Sequence, residues 1–270
     1  MTNNQWIDAH CHLADPRLEN SLDEVIREAE SLGIKFFMQG GVGPEDWQRQ
    51  RDLAKKYPNK LGLCFGLHPY WVAAHDEELC EIALDQLAPI LPEALGIGEL
   101  GLDFRPHIMK DSKVRQISVF EQQLELAEAT QKPMVLHLVQ AHEESLKIMD
   151  VWGIPASKGL VHSFNGSWGK AQDFLKRGLC LSIGGPVVWA QNEKLHEVIK
   201  QMPLEFLLLE SDSPDQPPPR FKQSLNQPAS LWDVAGKIAE IREMPSTEVL
   251  EIATQNFKRV FRLPADERGN

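Results

Sequence analysis

His10 and His12 stand one residue apart in the stretch WIDAHCHL at 6–13, and their type and spacing could hold a metal ion. Alternate residues of a β-strand face the same way, so two strand rises would place their Cα atoms roughly 6.5 Å apart. Two imidazoles at that spacing can converge on one cation, but a lone pair does not make a site. Other polar residues also close apolar runs: His68 after LGLCFGL, Glu99 in ALGIGE, His137 in PMVLHLV, His162 in KGLVH and Asp212 in FLLLESD. Burying a lone imidazole or carboxylate in such surroundings costs several kcal/mol without a partner. His10, His12, Glu99, His137, His162 and Asp212 together offer four imidazoles and two carboxylates, a donor set for one or two transition-type cations.

For those donors to meet, the chain must bring several strand ends to one place. Apolar or β-rich runs lie at 6–10, 35–40, 61–67, 94–98, 133–138, 159–163, 179–184 and 206–211. Segments with helical periodicity follow at 22–33, 44–57, 77–91, 113–131, 142–152, 168–178, 192–202 and 229–243, with one more at 246–262. In the first of these, Leu22, Val25, Ile26, Ala29 and Leu32 recur at three- and four-residue spacing and Gly33 is the stop. Strict strand–helix alternation predicts a parallel sheet. Eight units in 270 residues fit a (β/α)8 barrel of the TIM type, with an additional C-terminal helix. A barrel carries its chemistry at the C-terminal ends of its strands, which is where the polar residues fall. The Pro-rich stretch at 213–228 is too close to the C-terminus to link a second domain, so residues 1–270 are expected to form one domain, with its core at about 6–263.

Composition narrows the function classes. A formal charge of −11 argues against a passive nucleic-acid binder, which presents a basic face, but not against an enzyme whose bound cations supply a local positive field. Cys11, Cys64, Cys80 and Cys180 show no paired spacing and are expected to be reduced and buried. No apolar run approaches membrane-spanning length, and MTNNQWIDAH has neither the basic region nor the apolar core of a signal peptide. The expected location is the cytoplasm, with no membrane contact and no obligate protein partner.

The chain resembles the TatD family of metal-dependent deoxyribonucleases, a branch of the amidohydrolase-like barrels, from about Trp6 to Leu263. The likeness rests on DAHCHL at 8–13, GLHP at 66–69, GELGLD at 98–103, His137 with AHEE following, VHSFNGS at 161–167, and ESDSP at 210–214 with Asn226-Gln227-Pro228 beyond. It implies a TIM-type barrel with a two-metal centre and a DNA substrate. Its ligand positions fall on the same six residues that the strand ends select. There is one departure: where the family usually has an arginine two residues after the histidine of strand 5, this chain has Val139. That removes a cation from the expected mouth and leaves the ligand set whole.

Such a centre can activate a water and polarise a phosphoryl oxygen. Glu99, with two oxygens, is the natural bridge, and Asp212 would both ligate a metal and take the proton of the nucleophilic water. Two divalent ions against two carboxylates and one hydroxide leave about +1, a sign that attracts an anionic phosphodiester. His68 is placed either against substrate or as a turn cap before Pro69. Asp8, Asp103 and Glu210 are expected to orient ligands or brace loops. Arg105, Arg220 and Lys222 are placed on loops at the rim, where cations could hold phosphate. Trp168 could stack on a base or pack the next helix. His75, His107, His142 and His196 receive no role.

The expected activity is hydrolysis of DNA phosphodiester bonds, with a single strand or a strand end, or another phosphate-containing molecule, as the expected substrate. The alternative is a two-metal hydrolase of a small ester, amide, lactone or phosphoester, since fold does not fix substrate. Four imidazoles favour zinc, manganese or iron, whereas the family resemblance allows magnesium. The expectation is zinc as purified, with Mg²⁺ or Mn²⁺ supporting activity.

Overall fold

Nearly every apolar run of the sequence forms a strand and every periodic segment a helix. In the computed structural model, which describes residues 5–221 and 224–264, the order opens with β1 (Trp6–Cys11), α1 (Leu22–Ser31), β2 (Ile34–Gln39) and α2 (Pro44–Lys56). The third strand is divided into β3 (Leu61–Gly62) and β4 (Cys64–Phe65), followed by α3 (Pro69–Ala74) and α4 (Glu77–Leu87). Next come β5 (Gly96–Asp103), α5 (Pro106–Met109), α6 (Lys113–Thr130), β6 (Met134–Val139) and α7 (His142–Trp152). The chain ends with β7 (Gly159–Val161), α8 (Trp168–Leu175), β8 (Cys180–Ile183), α9 (Glu193–Gln201), β9 (Leu207–Leu209), α10 (Leu231–Arg242) and α11 (Ser246–Val260).

All strand pairs are parallel, in the orders β1-β2-β3 and β4-β5-β6-β7-β8-β9. The divided third strand joins the two sheets, because β3 pairs with β2 while β4 pairs with β5. The outer edges meet just past the ends of β9 and β1. There the Asp212 amide donates to the His10 carbonyl at 3.0 Å, and the His12 amide donates to the Ser213 carbonyl at 2.7 Å. The fold is thus an α/β barrel with parallel strands and an extra C-terminal helix, and its closing seam runs between two of the expected metal-binding segments.

The fourth strand runs to Asp103, well past the expected 94–98. Its glycines make this possible: a Cβ on Gly98 or Gly101 would lie 2.6 Å or 2.2 Å from the carbonyl oxygens of Val135 and His137 on β6. Only a strand without side chains there can approach so closely.

Inside the barrel the apolar and polar levels separate. Val135 and Leu160 lie two residues ahead of His137 and His162, on the same side of their strands. They join Ile7, Ala9, Met38, Cys64, Cys180 and Leu208 in an apolar layer below the polar mouth. Phe257 and Phe261 of the α11 segment pack against that layer, their rings stacked at 4.4 Å, and so close the barrel floor. Among the described residues no helix is long and apolar enough to cross a membrane.

Candidate metal centre

The six strand-end residues do converge, and Glu99 divides them. Its Oε1 faces one group, 3.2 Å from His12 Nε2 and 3.6 Å from His10 Nε2. Asp212 Oδ1 completes that group at 3.6 Å from His10 Nε2 and 3.7 Å from His12 Nε2. The Oε2 atom faces the other group, 2.9 Å from His162 Nε2 and 3.3 Å from His137 Nδ1. The imidazole nitrogens themselves approach to 3.3 Å (His10 and His12) and 3.0 Å (His137 and His162). Donors at 2.0–2.1 Å from one tetrahedral ion are about 3.3 Å from one another, so the spacing fits shared cations. Two further observations support the fit. Glu99 Oε1 is buried without a hydrogen-bond partner. Gly40, at the end of β2, leaves the space the donors need: a Cβ there would lie 2.5 Å from His10 Cε1, 2.6 Å from His12 Cε1 and 2.9 Å from Glu99 Oε1.

The neighbours of these groups fix which nitrogen faces inward. Asp103 Oδ2 lies 3.2 Å from His137 Nε2, leaving Nδ1 for the centre. Glu210 Oε1 lies 3.6 Å from His162 Nδ1 and accepts from the Ser163 amide at 2.6 Å, leaving His162 Nε2 free to face Glu99. Asp8 works differently. Its carboxylate accepts from the Ser211 amide at 2.9 Å and the Ser211 hydroxyl at 2.5 Å, and it so ties β1 to the residues after β9.

His68 is the turn cap that was one of its two expected roles, and it also faces the centre. Its Nδ1 accepts from the Tyr70 amide at 2.9 Å as the cap of α3, while its Nε2 lies 3.2 Å from His137 Nδ1 and 3.6 Å from Glu99 Oε2. An imidazole that accepts at Nδ1 carries its neutral-state proton on Nε2. His68 therefore points an N–H, and not a lone pair, into the site.

Burial and crowding set the charges of these side chains relative to one another. Loss of hydration, then neighbouring His162, hold His10 well below the usual imidazole range. Burial also opposes charge on His12 and His162, but Glu99 overrides it: His12 rises to about 9, and His162 stands well above its ordinary value. Glu99 is buried too, yet the surrounding imidazoles of His162, His68 and His10 hold it well below the carboxylate range. Burial, reinforced by Glu210 and Glu99, pushes Asp212 up to about 7.

Above these groups opens a cavity of about 490 Å³, with Tyr70, Arg105, Leu138 and Val139 on its lining together with Asp215 and Gln216. Gln216 donates through Nε2 to Asp212 Oδ2. Neither Gln216 nor Tyr70 nor Gly40 is singled out by the sequence; Gly40 in particular acts by lacking a side chain. Arg105 lines the cavity as expected. Arg220 does not: its Nη2 lies 3.2 Å from Asp233 Oδ2 on α10, and its guanidinium stacks on Phe221. Trp168 opens α8 and packs against the core. Lys222 lies outside the described residues.

Fold and centre together define a metal-dependent hydrolase of the α/β-barrel kind. The TatD related DNase family matches residues 7–262, and the chain belongs to it. An uncharacterized metal-dependent hydrolase of Bacillus subtilis, YabD, is 32% identical over 95% of this chain and 98% of its own. Human deoxyribonuclease TATDN3 is 29% identical over 94% of each chain. The crystal structure of YjjV, a TatD homologue from Escherichia coli, superposes with a TM-score of 0.89 at 28% identity, over 97% of this chain and all of that one.

Proposed function

We propose that the protein cleaves phosphodiester bonds of DNA from a strand end, using divalent cations that the residues around Glu99 would hold. The division of the Glu99 carboxylate carries the reading, one oxygen toward His10 and His12 and the other toward His137 and His162. Bound there, divalent cations supply Lewis acidity and make a nucleophile of water at neutral pH. His10, His12 and Asp212 would hold one cation and His137 and His162 the other, with Glu99 common to both. Asp103 and Glu210 orient the two histidines they touch.

Asp212 is the base. Its Oδ1 faces the histidines, while Gln216 holds Oδ2, so the carboxylate cannot rotate away from the attacking water. The proton of that water passes to Asp212 as its oxygen bonds to phosphorus and the ester oxygen departs. His68 Nε2–H is placed to donate to a phosphoryl or departing oxygen. The donor set suits zinc as purified, with Mg²⁺ or Mn²⁺ supporting turnover. The four cysteines are free and buried, in keeping with a reducing cytoplasm.

The deciding experiment strips the protein with chelator, reloads it with Mg²⁺, Mn²⁺ or Zn²⁺, and follows nucleotide release from end-labelled single-stranded DNA. Metal-restored release that disappears in Asp212→Asn is the expected result. Asn keeps the backbone, because Asp212 has a positive φ of 56°, which Asn tolerates. Undiminished release by Asp212→Asn would overturn the assignment of the base. No release by metal-loaded protein would point to a small-molecule ester instead.

A further inference from the structure

The two walls of the mouth differ in charge. Asp212 and Asp215 stand on one side, and Asp215 is itself spent on a paired contact with Arg17, 3.0 Å from Nη1 and 2.7 Å from Nη2. On the other side Arg105 is the sole lysine or arginine among the described residues that line the cavity. Its position is fixed by two partners, Asp103 along one edge and Tyr70 under its face. Nε donates to Asp103 Oδ1 at 3.0 Å, Nη2 donates to Asp103 Oδ2 at 2.7 Å, and the plane lies 5.0 Å over the Tyr70 ring. Asp103 Oδ2 is also the atom that faces His137 Nε2 at 3.2 Å, so the cation is tied to the reacting centre through one carboxylate. Beside it, Val139 is the register partner of Asp103 and contributes no charge.

A guanidinium has five N–H donors in a rigid fork, and Asp103 uses one edge of this one. The opposite edge, led by Nη1, remains for an anion, and an arginine fork suits the geometry of phosphate. The Tyr70 ring, 39% exposed, stands edge-on to His68 at 4.7 Å and is shared between the centre and the cation. The exposed part of the ring that these contacts leave is available for a base.

We propose that Arg105 and Tyr70 form a subsite for the nucleotide next to the scissile ester, Arg105 binding that nucleotide's second phosphate and Tyr70 its base. The inference rests on the nuclease reading above and adds a substrate requirement: an anionic group beside the bond that is cut. It also makes Arg105 the cation that serves this mouth, entering from the loop after β5 and not from position 139.

The test compares thymidine dinucleotides with no terminal phosphate, a 5′ phosphate or a 3′ phosphate, using metal-loaded enzyme. Wild type should favour one phosphorylated form over the bare one by about tenfold or more in kcat/KM, the scale of a charge-assisted hydrogen bond. Arg105→Gln should bring that ratio close to one, Tyr70→Ala should reduce it, and Tyr70→Phe should keep it. The ratio is the informative readout, because loosening His137 through Asp103 would slow all three substrates alike. Equal rates for all three in wild type, or a ratio unchanged in Arg105→Gln, would overturn the subsite and leave the nuclease reading standing. Calorimetric binding of the same dinucleotides in Ca²⁺ provides the converse. Tighter phosphorylated binding that needs Arg105, with no dinucleotide cleaved in any metal, would keep the subsite and remove the nuclease reading; binding indifferent to Arg105 would remove the subsite.

Discussion

At Gly40 the absence of a side chain does the work. Its hydrogen faces two ligand rings and a carboxylate oxygen, with Cβ distances of 2.5–2.9 Å awaiting any larger residue. Those rings are held by backbone closure on one side and by Glu99 on the other, so they cannot retreat cheaply. Gly40→Ala should therefore weaken divalent-metal binding by about ten- to a hundredfold, the range seen when ligand-orienting contacts are lost. A metal titration monitored by calorimetry checks this, and an unchanged affinity would mean that the rings have room to move. The protonation of the histidines leads to a second expectation. His12, raised to about 9, and His162, raised as well, carry protons near neutral pH, whereas a ligating imidazole must be neutral. Metal uptake at pH 7 should release protons and should tighten as pH rises. Calorimetry in two buffers of different ionisation enthalpy would count the protons; zero release would contradict the charge states assigned to both histidines.

The last helix of the described residues has a role that its amphipathic pattern does not reveal. α11 presents Phe257, wholly buried, to the apolar layer beneath the metal-binding level. Removing such a ring from a closed core costs about 3–5 kcal/mol. Phe257→Ala should lose stability on that scale in denaturant unfolding while its metal affinity stays near wild type, since Val135 and Leu160 separate floor from mouth; parallel loss of both would show that the floor props the ligands directly. The broader pattern of β and α units was readable because parallel strands buried on both faces give short apolar runs, and amphipathic helices give three- and four-residue spacing. The short α3 and α5 were not, since six- and four-residue helices behind Pro69 and Pro106 carry too few turns for a period. The six residues that converge around Glu99 were readable because polar groups interrupt apolar runs at strand ends. Arg220 was misread as a rim group because composition places a cation on a loop without telling which way it turns, and the structure turns it onto Asp233. Gly40 and Tyr70 could not be found at all without knowing what lies across the barrel from them.

The charge of the whole chain bears on how it meets a polyanion. A formal charge of −11 argues against gathering DNA over a broad basic surface, and Arg105 is the sole lysine or arginine among the described residues lining the mouth. On the proposed reading, attraction comes from a small region, the cations that the centre would bind and that arginine, within an otherwise repulsive field. Salt dependence distinguishes this from a nuclease with a basic cleft. For single strands the logarithm of affinity falls with the logarithm of salt by about 0.7 for each phosphate neutralised. About two such contacts, one at the metals and one at Arg105, predict a loss of only about sevenfold between roughly 50 and 200 mM monovalent salt. Screening of the net repulsion acts in the opposite direction and can only flatten the slope further. Anisotropy of a short labelled strand in Ca²⁺, titrated across that range, measures the slope directly. A slope several times steeper would require a basic track that the mouth does not provide. A shallow slope that flattens again in Arg105→Gln would show that recognition is confined to the strand end and its nearest phosphates.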